Sequence, residues 1–335
     1  MESNTTALGP FSYRFQMLVW AFIIFFFSVI PAKSDDCKKL QISDFPKTDL
    51  PTDSDKITLK DEQSSKYYYG IGVPINYVKA RKIAFLEMET ANGDVFSGAG
   101  ILMMIYANGY SVPKNLELAL SLACGNVDGA QAEIEIRTAH LKKLEEKPSN
   151  KPFDICDDIT SGYMDGWCAN IRNQLAGSKR EADIRALTAH WLPNELQAFR
   201  KLQQAAKTFF DTRVENEVDL SGTSRAAFQI EESSDLDISF LGILKRCEAG
   251  TQPIYSTQEF IKADQELNAV YQSIVKNKAF DYGTVQQSGI RKTEKAWLIY
   301  RDSWVRFGKV KYPKMYSTSF KTFLTSDRIT QLKTF

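Results

Sequence analysis

Between Ile290 and Phe307 the positions Ile290, Thr293, Trp297, Tyr300, Trp304 and Phe307 recur at spacings of 3, 4, 3, 4 and 3. A β-strand turns successive side chains to opposite faces, so it cannot gather such a series on one side. A helix of 3.6 residues per turn does so directly. The result is one long helix with a continuous aromatic seam, which must be covered by other helices. Upstream, Phe260, Ala263, Leu267, Val270 and Ile274 step in the same way. Ser256 and Glu259 form a capping box that opens that helix. Asp281-Tyr282-Gly283 joins the two as an antiparallel hairpin, and a third helix is expected from about Thr325. From about Cys156 onward no stretch alternates like a strand. The predicted fold class is all-α: N-terminal αα-hairpin repeats followed by a helical-hairpin or bundle region.

A repeat lies nearer the N-terminus. At an offset of 39 residues, Gly70, Val73, Pro74, Asn76 and Ala80 return as Gly109, Val112, Pro113, Asn115 and Ala119. Each copy reads as a helix ending at a glycine that accepts the left-handed conformation, then a proline that resets the chain for the next helix. The alanines let neighbouring helices approach closely. The second copy lacks an equivalent of Gly72, having Ser111 there. Asn92-Gly93-Asp94 supplies a further break between the copies.

The first 34 residues predict export. Met17–Ile30 is an uncharged apolar run of 14 residues preceded by Arg14. As a helix it would rise about 21 Å, short of a bilayer core of roughly 30 Å. Ala32 and Ser34 place small residues at −3 and −1 of a cut before Asp35, the layout of a cleavable secretory signal. An uncleaved inner-membrane anchor is the alternative, and membrane contact is expected only through this segment. Cys37 lacks the context of a lipid-attachment signal. Export to a periplasm permits disulfides, and five cysteines leave at least one thiol unpaired. Cys37, Cys124, Cys156 and Cys168 are the candidates, with connectivity left open. On one unbroken helix Cys156 and Cys168 would stand about 18 Å apart. A break at Ser161-Gly162 would let them meet.

Two segments carry a family resemblance. The glycine turn, polar residue and alanine repeated across Lys66–Cys124 resemble the Sel-type repeats, relatives of the tetratricopeptide repeats, which implies a protein-binding platform. Asp264, Leu267, Asn268 and Tyr271, followed by Trp297, Tyr300, Arg301 and Asp302, resemble the lysozyme-inhibitor LprI family, small exported helical domains. Glu294 stands where that family has a glutamine. At an offset of 91, Arg200, Lys201, Ala205, Phe209 and Asp211 echo Arg291, Lys292, Ala296, Tyr300 and Asp302. The middle region is therefore expected to be a degenerate LprI-like copy. The expected organisation is a signal at 1–34, Sel-type repeats at 35–150, the degenerate helical region at 151–250 and an LprI-like domain at 251–335.

The residues give little purchase for covalent or metal chemistry. The two histidines, His140 and His190, lie in helix-like surroundings outside any metal-spaced pair. No P-loop, nucleophile elbow or dinucleotide fingerprint occurs, so no cofactor and no metal are expected. Asp157 and Asp158 suit a helix cap better than a cation site. The polar run Glu215–Arg225 reads as an inter-helix loop or a ligand site.

Net charge is +1, which gives no argument for nucleic acid, but its distribution is uneven. Residues 291–333 carry a balance of +8 and residues 215–248 one of −5, and such fields steer partners. Arg291, Lys295, Arg301, Asp302, Glu217, Asp219 and Arg225 are the candidate partner-binding residues. Arg301 and Asp302, adjacent on a helix, are expected to point apart and to tie neighbouring helices together. The LprI resemblance implies binding to a lysozyme-type muramidase. A scaffold or immunity-type protein acting through the repeats on another envelope protein is the second reading. A carboxylate-only peptidoglycan hydrolase using Glu215 or Glu217 is the third.

Overall fold

The computed structural model describes Cys37, residues 44–90, Phe96, residues 98–127 and residues 129–335. The apolar run with its cleavage motif and the Asn92-Gly93-Asp94 break lie outside the described residues. Every regular element among the described residues is helical.

The first six helices are α1 (Asp53–Thr58), α2 (Ser64–Tyr69), α3 (Tyr77–Thr90), α4 (Ala99–Asn108), α5 (Leu116–Gly125) and α6 (Gln131–Glu146). The sequence repeat is a repeat of turn geometry. α2 and α4 end at Gly70 and Gly109, with φ of 76° and 70°. The next amides reach back to Lys66 O and Ile105 O, satisfying carbonyls that the helix end leaves open. The amides of Asn76 and Asn115 each bond 2.9 Å to a carbonyl nine residues earlier, Tyr67 O and Tyr106 O. Both asparagine side chains then cap the following helix, from Lys79 N and Leu118 N. Ala80 and Ala119 are completely buried where the helices touch. Ser111 holds the same left-handed conformation as Gly72, φ 61° against 68°. It is fixed there by a 2.8 Å bond from Arg81 Nη1 to its carbonyl oxygen.

These helices share a hydrophobic core with the first turns of α7 (Gly162–Thr188). The break expected near Ser161 exists. Cys156 sits in a separate 3-10 turn, Ile155–Asp157. Ser161 caps α7 by accepting from Met164 N. The reversal brings Cys156 to Cys168 as a disulfide with Cα atoms 5.8 Å apart. Cys37 and Cys124 form the second bridge, and Cys247 is buried without a partner. Asp157 and Asp158 do not cap α7, because Ser161 is already at the capping position. They pair instead with Lys151 (2.8 Å) and His140 (3.1 Å).

The second core is built by α8 (Pro193–Glu217), α9 (Arg225–Glu248), α10 (Thr257–Lys276), α11 (Gln287–Lys311) and α12 (Ser317–Leu332). α11 is its axis, and all six seam positions from Ile290 to Phe307 are buried. α8 lies antiparallel along it: Lys311 meets Glu195, Phe307 meets Phe199, Tyr300 stacks on Phe209, and Thr293 bonds to Thr212 O. α10 and α11 form the antiparallel hairpin, held by Arg301–Asp264 at one end and Arg291 to Val275 O at the other. α12 begins at Ser317, eight residues before the expected start. STSFKTFL has weak helix propensity, but tertiary contacts override it. Phe320 packs so closely on Gly308 that a Cβ there would lie 2.4 Å from the ring. Tyr255, just ahead of α10, also exchanges bonds with Ser319 and Thr318.

Candidate partner-binding surface

The expected site residues separate into those the fold consumes and those it leaves outside. Glu217 was expected on a partner-facing loop; it is instead on the last turn of α8, with its side chain fully buried. Its carboxylate accepts from Arg328 at 2.6 and 2.8 Å and from Arg213 at 2.7 Å. Arg213 continues to Glu232 on α9, and Arg328 to Glu294 on α11. A buried ion pair survives only when each charge is matched, and here the acid and two guanidiniums bind α8, α9, α11 and α12 together. Burial alone would lower the Arg328 pKa, but Glu217 and Glu294 more than reverse this and hold it charged. The carboxyl of Glu294 moves upward because its burial outweighs the pull of Arg328. Glu215, two residues from Glu217, is exposed, so the two carboxylates do not face a common cleft.

Asp219 is a clasp. Its Oδ1 accepts from Thr284 N (2.9 Å) and Ser221 N (3.0 Å) and its Oδ2 from Ser221 Oγ (2.7 Å). These bonds, the Ser221 hydroxyl foremost, depress its pKa to about 2. They fasten the 218–224 linker to the α10–α11 turn. Gly283 makes room, since a Cβ there would lie 2.2 Å from Asp219 Oδ1.

Arg301 packs over Trp297 and Phe260 and reaches Asp264 on α10, tying two helices as expected. It does not point away from Asp302. The long guanidinium folds back to Asp302 Oδ1 at 3.2 Å, which adjacency on a helix does not prevent for a flexible side chain. Asp264 also accepts from Asn268, while Leu267, Trp297 and Tyr300 are buried. The residues that carry the family resemblance thus serve the packing of α10 on α11. Arg291 is exposed but closes the C-terminal end of α10. Lys295 and Arg225 remain outside, Arg225 with only a 3.4 Å bond to Gly222 O.

An open surface lies at the C-terminal end of α11, within the basic stretch 291–333 but away from Arg291, Lys295 and Arg301. There the turn 312–316 faces the segment 249–256 across a cavity of about 370 Å³. Its rim carries Ile254 and Tyr316, 77% and 65% exposed. The seam pattern offered no hint of them, because both lie in Pro-containing connections rather than on a periodic face. Tyr312 is held by Glu248 (2.7 Å), and burial with that bond pushes its pKa up. Lys311 is tied to Glu195 and lies over Trp191. That leaves Lys314, exposed between Pro313 and Tyr316, as the projecting cation. At the floor, the amide oxygen of Gln252 accepts from Arg246 Nε at 3.0 Å, which turns Nε2, a buried donor without a partner, the other way. Burial raises the Cys247 thiol to about 12, so it is an inert wall of the cavity.

Residues 246–332 match the family described as Lysozyme inhibitor LprI. This stretch is an LprI domain. It takes in α10, α11, α12 and the whole cavity end. α8 lies outside the match, although it covers the seam of α11 and supplies Glu217 to Arg328 of the LprI domain. No curated protein and no solved structure matches the chain. Among the described residues no group of His, Cys, Asp or Glu is placed to hold a metal ion, and no helix is long and apolar enough to cross a membrane.

Proposed function

We propose that this chain is an exported envelope protein that binds and inhibits a lysozyme-type muramidase through the cavity end of its LprI domain. The observation that carries this reading is the projection of Lys314 between two exposed apolar anchors, Ile254 and Tyr316, on the matched domain. Lysozymes cleave with two carboxylates that flank the scissile bond in a cleft. A cation on a proline-stiffened turn complements that pair, and a tyrosine beside it is the residue type that anchors interfaces. Two disulfides suit an oxidising compartment outside the cytoplasm.

Titrating the full chain into lysozyme assays of several enzyme types tests it. Inhibition is expected, and the affinity of this end for the enzyme should weaken at least tenfold in Lys314→Glu and Tyr316→Ala, whose side chains are exposed. Full activity of every lysozyme type at saturating chain removes the reading.

The duplicated turns at Gly70 and Gly109 favour a second reading, in which the repeats dock another envelope protein. Under it, Val78→Asp, at an exposed position of α3, abolishes capture of that protein while lysozyme inhibition stays intact.

A further inference from the structure

The LprI domain and the region before it have the same plan. α10, α11 and α12 form one three-helix unit, and α7, α8 and α9 form another. In each, the first and third helices run parallel. Arg172 meets Glu231, Arg180 meets Asp237 and Asp183 meets Lys245 along α7 and α9. Tyr255 and Lys333 mark the same sense for α10 and α12, the first bonding Ser319 and the second Glu266. In each, the middle helix is 25 residues long and antiparallel to the third. Arg213–Glu232 and Phe210–Phe240 mark this in one unit, Glu294–Arg328 and Gly308–Phe320 in the other. The two middle helices pack on each other. Phe209 and Tyr300, which correspond at the sequence offset of 91, stack at 5.2 Å near their crossing.

The duplication extends to the surface. In the LprI domain the cavity opens where the segment leading into the first helix meets the turn into the third. The equivalent place in the α7–α9 unit also has a cavity, of about 730 Å³, between Thr160–Asn170 and Thr223–Ala226. Its rim again combines an exposed aromatic, Tyr163 at 60%, with an exposed cation, Arg225, at the first position of the third helix. Because α8 and α11 are antiparallel, the two cavities lie toward opposite ends of that pair, whose length is about 37 Å. Partners of 100–150 residues have radii of gyration of about 13–15 Å, so two fit without collision.

We propose that the chain is bivalent: the α7–α9 unit carries a second partner-binding end, built around Tyr163 and Arg225, that accepts the same acidic enzyme cleft as the LprI end. This rests on the lysozyme reading for the partner's identity and adds the second site and the stoichiometry. Calorimetric titration and sedimentation of the full chain with an inhibited lysozyme test it. Two enzyme molecules per chain are expected. Arg225→Glu and Lys314→Glu should each reduce the count to one, and the double variant to none. A count of one that vanishes in Lys314→Glu and is unchanged in Arg225→Glu overturns bivalency and leaves the inhibitor reading standing. Absence of binding to any lysozyme removes both.

Discussion

Arg328→Met is the sharpest test of how the LprI domain is held to the rest of the chain. The Arg328 side chain is wholly buried and bonds Glu217 twice and Glu294 once. Methionine fills similar space but donates nothing. Glu217 keeps Arg213, whereas Glu294 loses its only bonded partner. Removing one member of a buried ion network costs about 3–5 kcal/mol, because the charge left behind has been taken out of water. For a cooperative unit of about 300 residues, with an unfolding entropy of about 2.1 cal/mol/K per residue, that lowers Tm by about 5–8 °C. Urea unfolding followed by circular dichroism at 222 nm, with the slope unchanged, measures it. Adding Glu294→Leu removes the stranded acid, while Glu217 keeps Arg213. The double variant should therefore be about 2 kcal/mol more stable than Arg328→Met alone, by the same desolvation argument. A loss under about 1 kcal/mol for Arg328→Met, or a double variant as unstable as the two single losses added, would refute the reasoning.

Three further outcomes follow from individual groups. Burial lifts Asp327 to about 6 against the pull of Arg246. The folded state therefore binds its proton more tightly than the unfolded state, and stability falls as pH rises from about 4 through 6. Asp327→Asn should raise stability by about 1–3 kcal/mol at pH 7.5 and leave it unchanged at pH 4, read from Tm at the two pH values. Cys247 should resist a maleimide at pH 8 in the native protein and take one label after unreduced denaturation, while the four bridged cysteines take none; intact mass reports both. Gly283→Ala forces a methyl onto Asp219 at φ +53°, so it should cost about 1–2 kcal/mol, and Asp219→Ala in the same background should cost almost nothing more.

The sequence alone determined the elements that are periodic or that need special backbone chemistry. The 3-4 seam of α11, the capping box of α10, the glycine turns at 70 and 109 and the Ser161 break between the bridged cysteines are local requirements. Each is written in adjacent residues, so each was legible without a partner. The sequence also held the Asp264–Arg301 neighbourhood through its resemblance to LprI domains. What it could not hold is which side of a polar residue faces inward. Glu217 and Asp219 sit in one hydrophilic run, yet the first is sealed between two arginines from different helices and the second clasps a turn 65 residues away. Burial of a charge depends on what arrives from elsewhere, and a partner 111 residues distant leaves no mark on the local pattern. The early start of α12 was decided in the same way, by Phe320 finding Gly308. Ile254 and Tyr316 were invisible for the complementary reason, and Lys314 was one of eleven cations in the basic stretch 291–333 with nothing to single it out. Exposed side chains in aperiodic turns become a surface only when tertiary packing brings two such turns together.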